Sequence, residues 1–174
     1  PHTHVACNTY GLKECIEKGR NYIHWDEKRK EYENQTGPVR KGIGMAIFCY
    51  KTGVYPITLE TASCRMVLNQ DGSMQLQMGA TEIGQGADTV FTQMAAETTG
   101  ITDDKVHILS TQDTDITPFD TGAYASRQTY VSGMAVKKAG LIFKDRILDY
   151  AAYMLDREKD SMDIENNTVV DRES

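Results

Sequence analysis

The run Gly79-Ala80-Thr81-Glu82-Ile83-Gly84-Gln85-Gly86 combines residue types and spacing that suit anion binding. Gly84 and Gly86 reach backbone dihedrals closed to other residues and leave the main chain bare. A helical pattern begins directly behind them, and the first turn of a helix offers unpaired N–H groups and the positive end of a dipole. A phosphate or pyrophosphate fits that chemistry. Glu82 adds an acceptor and Gln85 an amide that both donates and accepts, although the turn needs neither for its geometry. The run has no GxGxxG spacing and no lysine after its last glycine, so it matches neither the dinucleotide nor the P-loop pattern. The expected ligand is another phosphate-bearing molecule; a tight connection without a ligand is the alternative.

A second junction of this kind lies at Ala125-Ser126-Arg127-Gln128. Ser126 stands where a helix N-cap belongs. Arg127 offers a forked cation and Gln128 a directed hydrogen bond. If the two helix starts converge, they form a cradle for one elongated anionic ligand. Taken singly, Arg127 also reads as a surface ion-pair partner and Ser126 as a cap and nothing more.

The elements that must position these junctions follow from periodicity. Ser73 to Met78 alternates polar and apolar residues as a half-buried strand does. Val90, Met94, Ala95 and Ala96 recur at helical spacing from about Ala87 to Thr99, and Gly100 supplies the stop. Asn69-Gln70-Asp71-Gly72 and Asn166-Asn167 read as hairpin turns. Upstream, Leu12, Cys15, Ile16, Gly19 and Ile23 predict one helix from Tyr10 to about Tyr32, closed by Asn34 to Pro38. Lys41 to Leu68 is rich in β-branched and aromatic residues and predicts two or three strands; Phe48 and Tyr50 read as core, a pocket wall being the alternative. Val106 to Ser110 predicts a short strand and Thr111 to Gly122 a loop whose length suits function. Val131, Ala135, Ala139, Ile142 and Ile147 trace the buried stripe of a helix ending near Leu155. The fold class is α/β (α+β), a mixed sheet covered by two or three helices.

Bulk properties narrow the function. With 174 residues, 40% hydrophobic and 25% charged, residues 1–174 are expected to form one domain with a real core, or a piece of something larger. A net charge of −6 argues against a nucleic-acid surface, and Lys28-Arg29-Lys30 reads as a solvated helix face. No apolar stretch has membrane-spanning length, and no signal-peptide layout is present. Cys7, Cys15, Cys49 and Cys64 lack metal-ligand spacing and read as buried reduced thiols, which suits the cytoplasm. His2 and His4 read as part of a mobile terminus rather than a chelate.

Together these residues resemble the molybdenum hydroxylase family, specifically the molybdopterin-binding subunit of xanthine dehydrogenase-like enzymes. The resemblance rests on GATEIGQG at 79–86, the following ADTVFTQMAAETTGI, VHILSTQDTDITPFDTGAYASRQ at 106–128 and Gly133-Met134-Ala135-Val136. It implies molybdenum held by the dithiolene of molybdopterin, in the cytosine dinucleotide or the monophosphate form. It assigns cofactor contacts to Ile83, Gly84, Gln85 and Gly86 and to Ala125, Ser126, Arg127 and Gln128. Ala125 is the small residue that lets the metal approach closely, without being a side-chain ligand; Ala123 takes its place if the match slips by two. The implied activity is hydroxylation of a small heterocycle, a xanthine or hypoxanthine-type purine, with water as oxygen source. Nicotinate or aldehyde hydroxylation, or a non-catalytic anion-binding module, are the alternatives. The implied catalytic glutamate has no match here, so no catalytic residue is assigned, and Glu82 is expected to organise its loop. The implied partners are the remainder of the molybdenum-binding subunit and the iron–sulfur and FAD domains or subunits. The fragment alone is expected to be inactive.

Overall fold

A computed structural model describes residues 9–54, 56–110 and 113–172. The expectations for His2, His4, Cys7 and the first residues of the Thr111 loop lie outside them. Backbone contacts divide the chain into two units, Pro1–Cys49 and Tyr50–Ser174.

In the first unit the single expected helix is two, α1 (Leu12–Tyr22) and α2 (Trp25–Glu31). His24 between them has φ 54°, a left-handed conformation that ends the i to i−4 ladder. Across the break Arg20 reaches Asp26 with a forked contact, Nε to Oδ2 at 2.8 Å and Nη2 to Oδ1 at 2.6 Å. Neither helix buries a residue, so the apolar stripe through Cys15 stays uncovered within its unit. Cys15 and Cys49 are exposed, against the expectation of buried thiols. Lys28, Arg29 and Lys30 do sit on the last turn of α2.

The second unit holds the sheet. Of the two or three strands expected between Lys41 and Leu68, the described residues form one, β1 (Cys64–Leu68), preceded by a 3₁₀ turn at Ile57–Leu59. Residues 41–50 have strand-like composition, but a strand exists only when a neighbour pairs with it, and no described segment does. The Asn69 to Gly72 turn joins β1 to antiparallel β2 (Met74–Met78) as expected. The Asn69 N–H donates to the Ser73 carbonyl at 2.8 Å, and Gly72 takes φ 80°.

From β2 the chain runs through the glycine run into α3 (Ala87–Thr99) and returns as β3 (Val106–Leu109), parallel to β2. The sheet order is β1-β2-β3, mixed as expected. Paired residues share a face, so the register Cys64–Met78, Met66–Leu76, Met74–Val106 and Leu76–Ile108 gathers one apolar surface. Met74, Leu76 and Met78 are fully buried there with Phe91 and Ala95 of α3 and Val136 of the last helix. Phe91, absent from the expected stripe, is the largest apolar side chain in this core, whereas Val90 is half-buried.

The last helix, α4 (Gly133–Leu155), packs on α3 and β1. Its buried positions are Gly133, Val136, Gly140 and Leu148; Ile142, expected on the stripe, is 57% exposed. The two glycines bring the helices close, since a Cβ on Gly133 would lie 2.6 Å from Met94 Cε and one on Gly140 2.8 Å from Thr98 Cγ2. A hairpin of β4 (Met162–Glu165) and β5 (Thr168–Asp171) turns at Asn166-Asn167, with φ of 50° and 67°, as its residues demand. No helix among the described residues is long and apolar enough to cross a membrane.

Candidate functional site

The two junctions meet because of strand direction. Since β2 and β3 are parallel neighbours, the segments leaving their carboxyl ends emerge on the same edge of the sheet. One segment is the glycine run, and the other leads through residues 113–127 to the start of the last helix. Gln85 of the first donates its amide to Gln128 Oε1 of the second. Both amides also donate to the Thr81 carbonyl, from Gln85 at 2.9 Å and from Gln128 at 3.0 Å. The Ile83 N–H donates to Gln85 Oε1 at 2.7 Å, so the Gln85 side chain is fixed at three points. Beside this knot lies a hollow of about 380 Å³, lined by Ile83, Gln85, Ala125, Ser126 and Gln128 and walled by Tyr50 and Tyr124.

The N-terminus of α3 is covered by a side chain of its own loop. Glu82 folds back over it, and its Oε1 accepts the N–H groups of Gly84 at 2.6 Å and Gly86 at 3.1 Å. Its Oε2 accepts the Asp88 N–H at 3.2 Å. The Gly86 and Asp88 N–H groups hold the Glu82 carboxyl below the usual carboxylate range, so it stays ionised on the helix dipole. Glu82 thus takes the place a phosphate would occupy and organises the loop. Gly84 at φ 98° and Gly86 at φ 82° serve the turn, and each has open space around its α-carbon. Gly79 serves a different end, because a Cβ there would lie 2.1 Å from the Pro118 carbonyl oxygen.

Further uncommitted donors lie on the second junction. Ala125 and Ser126 have φ of 47° and 51°, two consecutive non-glycine residues in left-handed backbone. Such residues cost about 1–2 kcal/mol each and concentrate at binding sites. Ser126 in this conformation does not cap the helix with its side chain, contrary to expectation. The helix opens instead with a π turn at Gln128–Ser132, in which the Gly133 N–H donates to the Gln128 carbonyl. The N–H groups of Ser126, Gln128 and Thr129 have no acceptor among the described residues, and all three residues line the hollow. Orphan first-turn donors beside an open hollow have the chemistry to take an anion.

Arg127 is a buried ion-pair partner, not a surface one. Its side chain is 0% exposed, and its guanidinium binds Glu60 Oε2 at 2.5 Å and Asp120 Oδ1 at 2.7 Å. Burial pushes the Glu60 carboxyl up, but the Arg127 guanidinium and the Val54 N–H outweigh it and hold that carboxyl below the usual range. Glu60 and Asp120 did not stand out in the sequence. An acid 67 residues from its arginine has no local pattern to mark it, and Asp120 sits in a stretch legible only as a loop. Cys64 is half-buried, and burial raises its thiol to about 12, so it is no nucleophile. No group of three or more metal-ligating side chains occurs among the described residues.

Residues 18–174 match the family described as molybdopterin cofactor-binding domain. The xanthine dehydrogenase molybdenum-binding subunit of Escherichia coli O157:H7 is 52% identical over 145 residues, 83% of this chain and 19% of that protein. The chain therefore spans about a fifth of the length of this curated relative. Among solved structures, the Cu,Mo-CO dehydrogenase superposes with a TM-score of 0.63 at 23% identity, covering 95% of this chain and 22% of that one. Quinoline 2-oxidoreductase from Pseudomonas putida 86 superposes with a TM-score of 0.62 at 23% identity, covering 92% of this chain and 20% of that one. These two likenesses establish that the fold of this chain occurs as part of each of those proteins.

Proposed function

The chain belongs to the molybdopterin cofactor-binding domain family, and from that premise we propose that it supplies part of the cofactor cradle of a molybdenum-dependent hydroxylase acting on xanthine or hypoxanthine-type purines. The observation that carries the proposal is the junction of the two turns. Gln85 and Gln128 are tied through the Thr81 carbonyl, beside a hollow onto which the Ser126, Gln128 and Thr129 residues bring unpaired N–H groups. These groups fit an anionic, partly planar cofactor. The backbone donors suit a phosphate, the Tyr50 and Tyr124 rings suit a flat heterocycle, and a hollow of about 380 Å³ admits part of it.

In this reading Gln85, flanked by Ile83, Gly84 and Gly86, orients the pterin, while Ser126 and Gln128 hold its phosphate. Ala125 is the small residue nearest the molybdenum, and Arg127 acts beneath the turn. When bound, the cofactor supplies the two-electron oxidation that turns a C–H of the heterocycle into C–OH with oxygen from water. The work of the chain is to bind, orient and exclude water. The catalytic base lies elsewhere in the subunit, and iron–sulfur and FAD domains or subunits accept the electrons. Residues 1–174 then act as one piece of the subunit and are inactive alone, because a partial cradle leaves the ligand most of its contacts short. The purine assignment draws on the relative at 52% identity.

The test is Gln85→Ala in the parent subunit, with molybdenum and phosphate counted per purified chain. Loss of more than nine-tenths of both is expected, and unchanged content refutes the cradle. The isolated chain should carry no stoichiometric molybdenum.

A further inference from the structure

We propose that the buried Glu60, Arg127 and Asp120 side chains form the positioning element of the cradle, fixing the left-handed Ala125-Ser126 turn that presents the anion donors. The inference rests on the cradle reading above and adds to it the residues that hold its shape.

The three side chains are 4%, 0% and 0% exposed. Arg127 spends its fork on four acceptors. Nε donates to Glu60, Nη1 to Asp120 Oδ1 and to the Gly122 carbonyl at 2.8 Å, and Nη2 to the Thr61 carbonyl at 2.6 Å. The carboxylates are satisfied in turn. Glu60 Oε1 accepts the Val54 N–H at 2.6 Å, Asp120 Oδ1 the Gly122 N–H at 2.9 Å, and Asp120 Oδ2 the Ser132 hydroxyl at 2.7 Å. Two carboxylates around one guanidinium leave the cluster one negative charge in excess. It tolerates this because every oxygen is hydrogen-bonded.

One side chain thereby ties three separate pieces of chain, the 53–61 segment, the 120–122 loop and the π turn that opens the last helix. The turn carrying Ala125 and Ser126 spans the gap between the second and third of these. The first piece also holds the turn directly, since the Gly53 N–H donates to the Ala125 carbonyl at 2.7 Å. The Tyr124 ring, which walls the hollow, lies 5.5 Å from the guanidinium. Arg127 therefore spends four of its five N–H groups inside the fold, with its side chain 0% exposed, and has every connection needed to shape the site. Lysine in its place keeps the charge, but its three donors around one nitrogen cannot serve four acceptors set in a planar fork.

The test uses the cofactor-loaded parent subunit and its Arg127→Lys and Ser132→Ala variants. Ser132→Ala removes a single hydrogen bond on Asp120 and leaves the charges in place. The readouts are the rate at which molybdenum and phosphate are lost on dialysis at 20 °C, far below melting, and the thermal midpoint of each protein. Loss about tenfold faster for Arg127→Lys and twofold to threefold faster for Ser132→Ala is expected. Variants that melt earlier but release cofactor at the parental rate overturn the positioning role. Should Arg127→Lys fail to fold, the Ser132→Ala rate alone decides. A parent subunit that holds no cofactor sinks the cradle reading itself, an outcome distinct from equal release.

Discussion

Replacing Gly79 by alanine tests the link between the glycine run and the second junction. The position needs glycine for space alone, because its φ is not in the left-handed range and the added Cβ would stand 2.1 Å from the Pro118 carbonyl oxygen and 3.0 Å from the Asp120 N–H nitrogen. Ordinary contact begins near 3.4 Å, so the 118–120 backbone must retreat by more than about 1 Å. Overpacking of this kind costs about 1–3 kcal/mol. The retreat also carries Asp120 away from Arg127 and Ser132, both now at 2.7 Å, and breaking a buried ion pair costs about 3–5 kcal/mol. The expected total lies near 3–5 kcal/mol, since partial relaxation spares some of each. Urea unfolding followed by circular dichroism measures it. Gly44→Ala, where open space and ordinary φ predict a change within about 0.5 kcal/mol, serves as the control. A Gly79→Ala midpoint equal to that control would refute the reasoning, because Pro118 and Asp120 would not be packed against the strand exit.

Other substitutions probe separate parts. Glu82→Gln should speed amide exchange at Gly84, Gly86 and Asp88 by weakening the charge-assisted bonds to the carboxylate, and unchanged protection there would deny its organising role. The Glu60 carboxyl is held below its ordinary value, so its pairing contributes stability fully above about pH 4.5 and loses it as pH falls through the lower folded value. Asp163, held down chiefly by its bond to Lys144, adds to the same acid loss. Glu60→Gln should therefore flatten, without abolishing, the fall in urea midpoint between pH 5 and pH 3. An identical slope would show that Glu60 is not ionised in the fold. Gly100→Ala forces a Cβ to 1.9 Å from the Ile164 carbonyl at φ +83° and should cost more than about 2 kcal/mol by thermal unfolding, whereas a neutral result would separate the β4–β5 hairpin from α3.

Where short-range chemistry decides structure, the residues were legible in advance. Gly86 and Gly100 bound α3 because both take positive φ, and Asn69 to Gly72 and Asn166-Asn167 turn their hairpins for the same reason. The approach of Gln85 to Gln128 was also legible as a condition of function, and parallel pairing of β2 and β3 meets it. Long-range choices were hidden. Nothing near His24 announces a left-handed break in an otherwise unbroken apolar stripe. The β-branched run from Lys41 signals strand composition without naming a partner. The sequence marks Glu82 as polar and loop-bound without showing that its carboxylate folds back over the start of α3. The Arg127 cluster joins residues 67 and 7 positions apart, and their types show only that opposite charges exist.

The most direct measurement is an experimental structure of the cofactor-loaded parent subunit. The expected result is a cofactor phosphate oxygen within hydrogen-bond distance of the Ser126, Gln128 or Thr129 N–H, the pterin against Gln85, and the Glu82 carboxylate still on the α3 N-terminus. A phosphate seated on α3 in place of Glu82, or a cofactor bound on another edge of the sheet, would contradict it.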